Sequence, residues 1–247
     1  MTIAATAGRA GNPERRFYMA MILAMIGTVL LGFARSYFLR PLFPGFPSPP
    51  EAFFYDIHGV LFVGWMGLLL VQASLISARN TALHMRLGAI AFVLVPVMIA
   101  VGVIGSLIAA RRPGGFIGVP VPPLQFLAVT LGDMAMFGLF AGLALAFRKS
   151  QPLAHKRLII LACIVFMDPS IGRWPFAFVA DNPMASFWLK DVFLVPLALW
   201  DIASLRRIHW ATLLGAVVLI AEGLLRGPLG ATPQWLAFAK WATGLLG

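Results

Sequence analysis

The stretch LGAIAFVLVPVMIAVGVIGSLIAA, residues 87–110, carries no ionisable side chain. As a helix rising about 1.5 Å per residue, it is long enough to cross a bilayer, which takes roughly 20 residues. Charge frames it at both ends. His84 and Arg86 precede it, and Arg111 and Arg112 follow it. An apolar run with a cationic frame reads as a membrane helix whose ends sit at the two interfaces.

Working outward, the rest of the chain repeats that pattern. Of its 247 residues, 60% are hydrophobic and 11% charged, with a mean hydropathy of +0.90. A soluble domain carries about 25% charged residues, so a bilayer is the simplest solvent for this composition. Six further apolar segments of spanning length lie near 17–34, 55–78, 123–147, 158–180, 186–204 and 210–226. The expected fold class is all-α: a polytopic membrane helix bundle of about seven transmembrane helices. Residues 1–16 form the N-terminal segment, 17–228 the transmembrane domain, and 229–247 an interfacial or packing helix with Trp235, Phe238 and Trp241 at helical spacing. The first apolar run follows Arg9, Arg15 and Arg16 but lacks a small-residue cleavage site after it, so it reads as a retained helix.

Lysine and arginine set the orientation. With the N-terminus cytoplasmic, the inner segments hold Arg9, Arg15, Arg16, Arg79, Arg86, Arg148, Lys149, Lys156, Arg157, Arg206 and Arg207, more than half of the 19 basic residues. The net charge of +10 then reports orientation and contact with anionic lipid. Nothing interleaves aromatic and basic residues as a nucleic-acid surface would. The lone Cys163 excludes an internal disulfide and a CxxC site. Walker, GxSxG, HExxH and GxGxxG motifs are absent.

Ionisable residues inside spanning helices are costly and mark protein interiors or wet cavities. Asp133, Asp168, Arg173 and Glu222, with His58, fall at depths that bring them together in the central to outer half of a bundle, as a candidate polar pocket. MDPSIGRWPF, residues 167–176, places Pro169 and Pro175 around Gly172 and Arg173, so a bend is expected near Asp168. An Asp168–Arg173 ion pair is the structural alternative there. Asp201 stands ready to orient a histidine or to pair with Arg206.

Three of the four histidines open apolar runs beside cations: His84, His155 and His209. Their matched depth makes them candidate ligands for haem or a transition metal. The competing reading is interface punctuation, because neighbouring cations repel a metal ion. The repeated helix starts suggest either internal duplication or one charge rule acting on every inner loop.

The series His58, Gly64, Gln72, His84 to Gly88, His155 to Arg157 and Arg173 resembles a family of bacterial multi-helix membrane proteins. That family shares a helix-opening histidine, a later glutamine, His-x-Arg-Leu-Gly, His-Lys/Arg-Arg and a downstream arginine. The spacing after His58 departs from the family's His-x-x-Gly. The resemblance covers roughly residues 17–210. It implies a bacterial cytoplasmic membrane and no particular activity. A fainter likeness to two-haem transmembrane cytochromes fails because only His58 lies on the outer side. Three functions remain: an accessory subunit of a larger energy-transducing or redox membrane complex, a haem- or metal-handling membrane protein, and a small-molecule transporter or receptor. The expected partners are membrane lipids and subunits of such a complex, not nucleic acid.

Overall fold

The computed structural model describes residues 12–47, 49–182 and 185–246. Most of the expected segment 1–16, Arg9 included, lies outside these. The described residues are helical throughout, with no strand among them.

Asn12 opens helix α1, Pro13–Phe33: its side chain accepts from the Glu14 amide at 2.9 Å, and Pro13 takes the first helical position. After a π turn at Ala34–Phe38 and a 3₁₀ turn at Arg40–Leu42, α2 runs Ala52–Ser77. Arg79 adopts a left-handed conformation at φ 60°, and Asn80 caps α3, Thr81–Gly88. Helix α4, Ala91–Arg111, follows after a break at Ala89–Ile90, so His84 and Arg86 lie on a helical extension rather than at a bare threshold. Helix α5, Pro123–Phe147, occupies the span expected for it.

The next two expected spans are broken. Helix α6, Pro152–Val165, stops at Phe166, whose amide closes a tight turn onto Cys163 O. Helix α7, Met167–Ile171, then restarts. Pro169 dictates the restart: in the first turn of a new helix its missing N–H costs little, whereas inside a continuous helix it would break a bond and clash. A single turn, α8, spans Ala177–Ala180. Helix α9, Ala185–Leu189, passes through a 3₁₀ turn at Lys190–Phe193 into α10, Leu194–Leu205. Pro196 there again falls in a first turn. Arg206, left-handed at φ 58°, ends α10. Helix α11, Trp210–Gly230, and α12, Pro233–Gly244, complete the chain.

Helix α5 is central and packs against α4, α6 and α11, while α1 lies on α2 and α7. Trp65, Phe137, Phe140, Met25, Met98 and Leu161 fill the middle. Small residues set the closest approaches, as membrane packing requires. A Cβ at Gly32 would strike the Ser170 carbonyl oxygen, so α1 rides on the α7 backbone. Gly230 does the same for α11 against Gln125 of α5. Helix α12 closes one end, with Trp235 Nε1 donating to Leu124 O at 2.8 Å and Ala239 packed on Leu127.

Among the described residues, five helical stretches are long and apolar enough to cross a membrane: Pro13–Phe38, Phe53–Ser77, Thr81–Arg111, Pro123–Phe147 and Trp210–Gly230. At most 44% of any of their most apolar windows is buried inside the protein. Their remaining faces carry exposed Leu23, Val60, Val93, Val217 and Leu224. Apolar area on that scale is not solvated by water at acceptable cost, and lipid is the solvent that fits it. The chain is a membrane protein with transmembrane-like helices.

Candidate functional site

Glu222 and Arg226 are one helical turn apart on α11, and the guanidinium lies 3.4 Å from Glu222 Oε1. Arg226 is the hub of a buried network. Its Nη2 donates to Asp168 Oδ2 of α7 at 3.0 Å, and its Nη1 lies 3.6 Å from Asp133 Oδ1 of α5. The Phe187 ring of α9 covers the guanidinium at 3.6 Å, a cation–π contact. Lys190, from the 3₁₀ turn, reaches Asp191 at 3.2 Å and Glu222 at 4.0 Å. The Arg226 and Lys190 side chains are 3% and 1% exposed, so neither snorkels to an interface. Four carboxylates thus face two cations inside an apolar bundle. Asp191 Oδ2 and Arg226 Nε are buried without hydrogen-bond partners.

The helix breaks create this geometry. The restart at Met167 puts Asp168 in the first turn of α7, facing α11. The 3₁₀ turn swings Lys190 and Asp191 inward from the opposite side. Of the five residues expected to form a pocket, Asp133, Asp168 and Glu222 come together. Arg173 and His58 make no hydrogen bond or ion pair with them, although the Arg173 charge is close enough to act on both Asp168 and His58. Arg173 donates to Pro169 O at 2.7 Å and lies over the Phe33 ring at 4.9 Å. The Asp168–Arg173 pair therefore does not form, and Arg226 takes Arg173's place. His58 stacks on Phe62 at 4.2 Å, with Nδ1 buried and unpartnered.

A second buried ion pair is fully satisfied. Arg157 of α6 donates through Nε and Nη2 to Asp201 Oδ1 of α10, the Nε bond measuring 2.8 Å. Its Nη1 donates to Leu153 O at 2.8 Å. Asp201 Oδ2 accepts from Thr212 Oγ1 at 2.6 Å and from the His209 amide at 2.9 Å. Asp201 thus pairs with Arg157 rather than Arg206, and it holds the backbone of His209, not the ring. With all its polar groups used, this cluster is a clasp joining α6, α10 and α11.

His84, His155 and His209 each have a neighbour of their own. Gln72 of α2, its amide nitrogen turned to α3, donates to His84 Nδ1 and to His84 O at 3.0 Å, and accepts from the Gly88 amide at 3.0 Å. His155 Nδ1 meets Ala144 O at 2.8 Å. His209 Nδ1 accepts from the Ala211 amide at 3.1 Å and caps α11. Among the described residues no group of three or more His, Cys, Asp or Glu side chains is placed to hold a metal ion. Each of the three Nδ1 atoms thus has a neighbour in its own helix contact, and His84 is close enough to His155 for the two rings to act on each other electrostatically. Burial lowers the His209 imidazole below its ordinary range, and the nearby Arg157 charge adds to that.

A helical membrane protein with a mixed-charge centre is the class these features define. Comparison with protein-family profiles, with curated proteins and with solved structures yields no match.

Proposed function

We propose that the chain crosses a bacterial cytoplasmic membrane seven times, N-terminus inside, and exchanges a proton for a small organic cation at the carboxylates around Arg226. The observation that carries this reading is the charge imbalance of the buried network. Fully ionised, Asp133, Asp168, Asp191 and Glu222 outnumber Arg226 and Lys190 by two negative charges. Counting Arg173, whose charge reaches Asp168, as a third cation still leaves one. An uncompensated buried charge is expensive, so the resting network holds at least one proton. An arriving ammonium group replaces that proton at equal charge. The supporting architecture is two broken helices at the network, since interrupted helices commonly line binding sites at the membrane midplane. The two broken helices, α6–α7 and α9–α10, supply the fifth and sixth crossings, and α11 the seventh. Arg15, which donates to Ser77 O, and Lys156, which pairs with Glu14, place three basic helix ends on one side. The positive-inside rule makes that side cytoplasmic.

The test uses vesicles loaded with a pH-sensitive dye and a panel of small primary and quaternary ammonium compounds. Reconstituted wild type is expected to move protons when one of these cations is added, and Asp133→Asn is expected not to. Identical traces from wild type, Asp133→Asn and empty vesicles across the panel contradict the reading.

A second reading, an accessory subunit of a larger membrane complex, is favoured by an apolar cleft of about 180 Å³ between α1 and α2. Ile26, Val29, Phe38, Val63 and Met66 wall it, and a neighbouring subunit's aliphatic side chain fits there. A stoichiometric partner retained through mild-detergent purification supports this reading, and a lone monomer contradicts it.

A further inference from the structure

Away from the charged network, an open cleft of about 500 Å³ lies where α2 begins and α4 ends. Glu51, Arg111 and Arg112 supply its polar wall, and Ile108 and Leu246 its apolar one. Arg112 is rigidly held. Its Nη2 donates to Glu51 Oε2 at 2.6 Å and to the Tyr55 hydroxyl at 3.2 Å, and its Nη1 donates to Gly115 O at 3.3 Å. Its side chain is only 10% exposed. Glu51, at 34%, still presents part of its carboxylate to the cleft. Desolvation works to raise the Glu51 carboxyl, but the Arg112 hydrogen bond prevails and lowers it, so Glu51 stays anionic at neutral pH.

The cleft sits at the ends of two spanning helices, at the depth where lipid headgroups meet the protein. A site at that depth with cations, one carboxylate and an apolar flank matches one ligand chemistry. We propose that the cleft of Glu51, Arg111, Arg112, Ile108 and Leu246 binds a phospholipid with a primary-amine headgroup, its phosphate on the arginines and its ammonium on Glu51. Arginine suits phosphate because its planar fork offers paired donors. A purely anionic headgroup would meet Glu51 with like charge. A quaternary ammonium wants an aromatic face, whereas the lining residues of this cleft are not aromatic and the Tyr55 ring beside it is already covered by Arg112 at 5.6 Å. A primary ammonium can hydrogen-bond to the carboxylate, and that selects it. Ile108 and Leu246 then flank the start of the acyl chains.

Native mass spectrometry of the full chain in mild detergent tests this, with equal amounts of phosphatidylethanolamine, phosphatidylglycerol and phosphatidylcholine of matched acyl chains. The wild type is expected to retain phosphatidylethanolamine preferentially. Glu51→Gln is expected to weaken that adduct by about tenfold, the effect of one charge-assisted hydrogen bond, and to strengthen phosphatidylglycerol, which no longer meets a like charge there. Arg111→Gln is expected to weaken every phospholipid. Ile108→Trp fills the apolar wall with all charges in place and should weaken phosphatidylethanolamine too, which separates lipid binding from loss of the Glu51–Arg112 bond. Equal retention of the three lipids by wild type overturns the proposal. So does phosphatidylethanolamine binding that survives both Glu51→Gln and Ile108→Trp. Soluble phosphoethanolamine binding as tightly as the lipid would assign the cleft to a free phosphoamine instead.

Discussion

Arg226 decides more of this protein than any other single residue, because three carboxylates lean on its charge. Arg226→Met strands Asp133, Asp168 and Glu222 beside one another and is expected to destabilise the fold by about 3–5 kcal/mol, read as a lowered melting temperature in detergent. Adding Asp168→Asn should recover part of the loss. His209 caps α11 through an unprotonated Nδ1, and its folded-state pKa lies below its ordinary value. The contribution of such a group is present above the ordinary histidine value, about 6.5, and is lost as pH falls through the lowered folded value. The acid side of a stability–pH profile should therefore flatten in His209→Asn, since asparagine also caps a helix and does not titrate there. An unchanged acid limb in His209→Asn contradicts this role. The acidic half of the central network was legible in the sequence, because Asp133, Asp168 and Glu222 stand in apolar runs where charge is costly. Its basic half was not. Arg226 closes the run 210–226 and looks like an interfacial cation, yet α11 continues to Gly230 and carries it inside. The i,i+4 spacing from Glu222 was the signal available. Lys190 likewise stands near the start of an apolar run, and only the 3₁₀ turn turns it inward.

Among the elements, α5 shows how a span becomes readable: Pro123 opens it, Arg148 follows it, and an apolar run fills the interval. The stretches 158–180 and 186–204 show the reverse. Their hydropathy averages over the breaks, while Pro169 and Pro196 split each into pieces that can restart. The bend near Asp168 could be anticipated from proline, but not the direction in which it turns Asp168, which depends on α1. There, Gly32 lets the helix touch the α7 backbone. Gly32→Val is expected to push α1 off α7 and cost about 1–3 kcal/mol, the usual range for overpacking. If Gly32→Val melts like wild type, the α1–α7 approach is not what holds the break in place. The histidine-opened helices make the same point on a smaller scale. Gln72 with His84 and Gly88 forms a side-chain latch between α2 and α3, a contact that spacing alone does not show.

At the scale of the whole molecule, apolar faces turn outward and charge concentrates at the ends and in two interior clusters, around Arg226 and at Arg157–Asp201. The proposed topology, seven crossings with the N-terminus inside, predicts that Ser150, between α5 and α6, and Ala231, after α11, lie on opposite sides of the membrane. In a Cys163→Ser background, a membrane-impermeant thiol reagent applied outside intact cells should label Ala231→Cys and spare Ser150→Cys. Labelling of both from one side contradicts that topology. The proposed exchange requires the buried network to keep a carboxyl group protonated at neutral pH, because four acids share two cations. Infrared difference spectroscopy of the reconstituted protein across a pH titration measures this directly. The expected result is a carboxylic-acid C=O band that shifts in heavy water, persists at neutral pH and weakens in Asp133→Asn or Glu222→Gln. Neutral-pH spectra with only ionised carboxylates, unchanged in both variants, contradict it.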